Sequence, residues 1–137
     1  MSKKPYDVSS KVDEFSGFYE WNKPTFYVKK SDERYERFRD QKKECGFTDE
    51  ETWTLYHNIA LFIYPRIKRF TEIIEDGVGT PYGLTLEEWV NILKKILFAF
   101  ECLIKEDDLD EPFNEETNKK INEGLDLFRE WFFALWW

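Results

Sequence analysis

Apolar residues recur at alternating steps of three and four through "TWTLYHNIALFIYPRIKRFTEII": Trp53, Tyr56, Ala60, Ile63, Ile67, Phe70 and Ile74. That is the spacing of one face of an α-helix. Thr48 stands three residues before Glu51, the pattern of a capping box, and Gly77 is a natural stop. The pattern predicts a helix over about 49–75, with a kink or break at Pro65, where proline deletes a backbone donor. A second capping box, Thr85 with Glu88, opens a cleaner arc: Leu86, Trp89, Leu93, Ile96, Leu97, Phe100 and Ile104. It predicts a helix over 86–105. Asn114 can cap a third helix over 115–135, in which Ile121, Leu125, Phe128, Phe132 and Leu135 share a face. "SDERYERFRDQKKECGF" reads as a shorter helix over 32–45. Ser31 would cap it, Asp32 and Glu33 would lie in its first turn, and Gly46 would end it. Residues 1–30 combine turn formers with scattered rings, among them Phe15, Phe18, Tyr19 and Trp21, and read as an irregular arm. The expected fold is all-α: an antiparallel bundle of three long helices and one shorter helix over 31–137, with an aromatic-rich N-terminal arm over 1–30.

Two places do not fit the apolar arcs. At ~100° per residue, most of "LFREWFFALWW" (residues 127–137) falls on the inner face of the last helix, Phe132 and Trp136 included. Phe133 and Trp137 fall among Asn122, Asp126, Arg129 and Glu130, so the arm, a second subunit in a homodimer or another partner is expected to cover them. On the helix over 49–75, Phe62 lies opposite the core arc, near Asn58, Arg66 and Arg69. A ring with guanidinium groups at i+4 and i+7 can stack on and hydrogen-bond a nucleotide or an acidic partner. The alternative is that Pro65 shifts the phase and Phe62 packs under the arm.

Composition narrows the classes. A chain of 137 residues with 19% aromatics can build one core without disulfides or metals. The net charge of −8 is uneven: residues 1–70 sum to +2, and residues 71–137, with 6 Lys/Arg and 16 Asp/Glu, sum to −10. This argues against direct nucleic-acid binding and against adsorption to anionic membranes. No apolar run approaches the ~20 residues of a membrane span. The start "MSKKPYDVSS" has no apolar stretch, so Cys45 and Cys102 are expected as free thiols in a reducing compartment.

Catalytic and metal chemistry find little footing. His57 is the sole histidine, which rules out a multi-histidine metal site, and nothing in the spacing recommends a Cys45–His57 nucleophile pair. "GVGTPYG" departs from the phosphate-cradling glycine spacing and follows a helix, so it reads as a loop. "EDDLDEPFNEE" has oxygen ligands suited to calcium but lacks the EF-hand spacing and its glycine, so it reads as a solvated acidic loop. No cofactor and no enzymatic activity are expected.

"GFTDEETWTL", "PRIKRF", "EEW" with "AFE", and "LWW" together resemble a group of small proteins of tailed bacteriophages and prophages. The similarity rests on Gly46, Phe47, Asp49, Thr52, Trp53 and Leu55; on Pro65, Arg66, Lys68 and Phe70; on Glu88, Trp89, Ala99, Phe100 and Glu101; and on Leu135, Trp136 and Trp137. It covers 46–137. Tyr56 departs from it, since an acidic residue is usual there. The resemblance implies a phage origin, and with it a location in the host cytoplasm, but no mechanism. The leading expectation is therefore a non-catalytic protein that binds a host or phage protein, such as a defence factor. The alternatives are an acidic nucleic-acid mimic, a sponge for a nucleotide signal built on Phe62, Arg66 and Arg69, and a virion accessory protein.

Overall fold

A computed structural model describes residues 30–106, 109 and 111–137. The predicted arm, and Asp107, Asp108 and Asp110 of the acidic loop, lie outside those residues. The described part is helical, with no strand. Helix α1 spans Tyr35–Cys45, α2 Leu55–Glu75, α3 Leu86–Lys105 and α4 Glu115–Glu130. Two short 3₁₀ turns, Asp49–Thr52 and Phe132–Ala134, precede α2 and follow α4.

Helix α3 is the centre of the bundle, packed against α2 on one side and α4 on the other. Its boundaries follow from the capping box, which is formed reciprocally: the Glu88 N–H donates to Thr85 Oγ1, and the Thr85 N–H to the Glu88 carboxylate. The pairings make the bundle antiparallel. Near one end Phe70 meets Trp89, and at the other Tyr56 donates its hydroxyl to Glu106. Likewise Trp89 meets Trp131, while Lys120 lies over Phe98. Ala60, Tyr64, Ile67, Ile96 and Phe100 form one buried cluster, and Ile74, Trp89, Val90 and Leu93 a second. Between them α3 and α4 approach closely at Gly124. A Cβ there would lie 2.5 Å from both the Ala99 Cβ and the Lys95 carbonyl oxygen.

Three expectations need correction. Helix α1 starts at Tyr35 and not at 32, and no side chain caps it. Asp32 instead accepts hydrogen bonds from the backbone and guanidinium of Arg34, and this local turn displaces the helix start. The predicted helix over 49–75 is divided. The Thr48–Glu51 capping box forms but opens only the 3₁₀ turn, and Thr54 at φ −120°, ψ 62° separates that turn from α2. The phase upstream of Leu55 is therefore lost, and Trp53 is 58% exposed, with Phe38 edge-on and Arg34 over its ring. Tyr56 is exposed as well. Pro65, by contrast, does not break α2, which runs through it to Glu75.

The third correction concerns the last helix, which stops at Glu130. Trp131 leaves the helical region at φ −103°, ψ 13°, and the chain tightens into the 3₁₀ turn. Consecutive bulky rings lose side-chain freedom in an α-helix, and Trp131 is held instead edge-on to Trp89 at 5.7 Å. A 3₁₀ turn advances three residues per turn, so the helical phase no longer applies beyond Trp131. Phe132 and Trp136, placed inside by the helical wheel, are exposed.

Candidate binding groove

The C-terminal turn and the α2–α3 loop together form a groove. The loop begins at Gly77, whose φ of +88° lets the chain turn away from α2, and it is held by its own bonds. The Leu84 N–H donates to the Pro81 carbonyl, and the Thr80 hydroxyl to the Leu84 carbonyl. On the other side, the Trp131 N–H reaches back to Leu127, and the Ala134 N–H to the Trp131 carbonyl. Between them lies a space of about 500 Å³. Its buried lining is Ile74 and Trp89, each no more than 2% exposed. Loop residues Val78, Gly79, Thr80 and Pro81 line it too, together with Phe133, Trp136 and Trp137. Among the described residues, Glu130 is the one charged residue that lines it.

Two ladders of edge-to-face rings tie this surface to the core. One runs Phe70–Trp89–Trp131, with centroids 6.4 and 5.7 Å apart. The other runs Phe100–Phe128–Phe132–Phe133 at 5.1, 5.5 and 5.6 Å. Exposure climbs along the second from 3% at Phe100 to 90% at Phe133. Each contact of this geometry contributes about 0.5–1.5 kcal/mol beyond area burial, and the second ladder links the exposed Phe133 back to the buried Phe100.

The structure separates the sequence-based candidates. Phe133 and Trp137 both line the groove, and both are exposed. Trp136, 76% exposed, and the Val78–Pro81 wall were not legible as site residues. The loop lies some fifty residues from the rings in sequence, and the only signal was two aromatics off the apolar arc. The α2 candidates lie elsewhere. Phe62 is exposed, and the Arg66 guanidinium stacks on its ring at 3.8 Å while donating to the Phe62 carbonyl at 2.8 Å. Arg69 pairs with Glu72 at 3.2 Å, and Asn58 donates to the Glu51 carbonyl, bridging α2 to the preceding turn.

Chemistry elsewhere is sparse. Burial and the neighbouring Glu101 push the Cys102 thiol up, which holds it protonated near neutrality. Among the described residues no group of three or more His, Cys, Asp or Glu is placed to hold a metal ion. No described helix is long and apolar enough to cross a membrane. Comparison with protein-family models, with curated proteins and with solved structures gives no match.

Proposed function

We propose that this chain acts by non-catalytic binding of a protein partner, through the groove formed by Phe133, Trp136, Trp137 and the 78–81 loop. The observation that carries this reading is large apolar rings exposed together around a concavity with a buried tryptophan behind them. Contiguous exposed aromatic surface marks interaction sites, and tryptophan is prominent among residues that carry binding energy. The single histidine and the protonated Cys102 thiol support a role without catalysis. The phage resemblance makes a host or phage protein in the host cytoplasm the partner to seek, and inhibition of a host or defence factor the consequence. A nucleic-acid-mimic reading draws support from the exposed carboxylates Glu115, Glu116, Glu123 and Asp126 along α4.

The test is affinity capture followed by titration of the purified partner. The groove variant Phe133→Ser with Trp136→Ser should weaken binding by more than a hundredfold. Full affinity in that variant contradicts the reading. If affinity falls instead on neutralising the α4 carboxylates, the mimic is favoured.

A further inference from the structure

The geometry points to a basic protein segment as the occupant of this groove, inserting an arginine or lysine side chain between the rings and Glu130. This rests on the reading of the groove as the docking site and adds the chemistry of what docks. Several rings elsewhere on the molecule are faced by a cation. Arg34 lies over Trp53 at 5.8 Å, Arg37 over Phe38 at 5.0 Å, Arg66 over Phe62 at 3.8 Å and Lys120 over Phe98 at 6.0 Å. The exposed rings of Trp53, Phe62 and Phe98 and the buried ring of Phe38 are thus faced by a cation from the chain itself, whereas the exposed Phe47, Tyr82 and Phe132 have none among the described residues. Among the described residues, Phe133, Trp136 and Trp137 carry none, and no lysine or arginine lines the groove. Arg129, beside Glu130 in sequence, is not among the lining residues.

The faces of these rings carry negative charge density, and tryptophan attracts a cation most strongly of the three aromatics. Glu130 adds a full negative charge, and it has neither a hydrogen-bond nor an ion-pair partner among the described residues. Residues 71–137 sum to −10, part of it at the opposite end of the bundle with Glu106, Glu115 and Glu116. Such a field raises the local concentration of a cationic partner and speeds its approach. The groove also suits the rest of such a side chain: its methylene stem can lie along Val78 and Pro81 while the charged head meets the rings and the carboxylate. A neutral apolar segment would bury the rings but leave Glu130 desolvated and unmatched, which is costly.

Two probes separate charge from shape: the pentapeptide acetyl-Ala-Ala-Arg-Ala-Ala-amide and its counterpart with citrulline, an uncharged isostere of arginine. Binding is followed through the indole N–H resonances of Trp136 and Trp137. The arginine probe should bind at least tenfold tighter than the citrulline probe, and the ratio should shrink as salt is raised. Glu130→Gln should remove most of the ratio, and Glu130→Lys should reverse the preference towards the citrulline peptide. Equal binding of the two probes, an arginine preference that survives Glu130→Gln, or no shift of either indole overturns the basic occupant. Those outcomes leave the docking groove standing, because the groove fails only if the Phe133→Ser, Trp136→Ser variant keeps full affinity for its partner.

Discussion

Among the described residues, an apolar stripe on α2 and the C-terminal groove are both exposed, and they differ in how they are built. On α2, Leu55, Ile59 and Phe62 form a stripe at helical spacing. It lies on a single helix, and its ring is already faced by Arg66. At the other site, Phe133, Trp136 and Trp137 border a concavity assembled from α2, α3, a loop and the C-terminal turn, with Trp89 buried behind them. Phe62 and Ile74 lie twelve residues apart on α2, about 18 Å along the helix, so the two surfaces can be altered separately. Exposure alone does not make a site. A ring matched within its own chain has less to offer a partner than rings held around a concavity with an unmatched carboxylate.

The comparison is broken most severely from beneath. Trp89→Ala removes the indole that meets Phe70 and Trp131, and it should cost on the order of 4 kcal/mol in denaturant unfolding. The groove should lose its shape while the α2 stripe keeps its helix. Gly124→Ala acts at one remove. The new Cβ must displace Ala99 and the Lys95 backbone, so α4 shifts and carries the aromatic turn with it. Overpacking should cost about 2 kcal/mol even though alanine favours the helix. Thr85→Ala deletes the cap at the end of α3 that carries Trp89, and it should cost about 1 kcal/mol. The smallest effects sharpen the comparison. Ile59→Ser with Phe62→Ser on the stripe, and Phe133→Ser with Trp136→Ser in the groove, should each shift unfolding free energy by about 0.5 kcal/mol or less, since these side chains are at least half exposed or nearly so.

The elements that were legible in sequence are those whose signals are local. Helix α3 spans 86–105 as its capping box and period predict, and Asn114 caps α4 by accepting from the Thr117 N–H. The all-α bundle follows from such runs. The start of α1 was missed because Asp32 spends its carboxylate on Arg34, a choice that Ser31 as a cap did not reveal. The end of α4 was missed because apolar spacing continues through residues 131–136 while the backbone changes its turn. Trp136 shows the consequence: the wheel gives it a core position worth about 3 kcal/mol on truncation to alanine, and its 76% exposure removes that expectation. The groove was only half legible, since Phe133 and Trp137 stood out but nothing local joins them to Val78 and Pro81. At Phe62 the neighbouring Arg66 lies over the ring, and Arg69 is paired with Glu72.

The most direct test sets the two surfaces against each other on one purified partner. Affinity is measured by calorimetry for the wild-type chain, the groove variant Phe133→Ser with Trp136→Ser, and the stripe variant Ile59→Ser with Phe62→Ser. The groove variant is predicted to lose more than a hundredfold in affinity at unchanged melting temperature, and the stripe variant to bind as the wild type does. The reverse order, with the stripe variant losing affinity and the groove variant keeping it, would contradict the assignment.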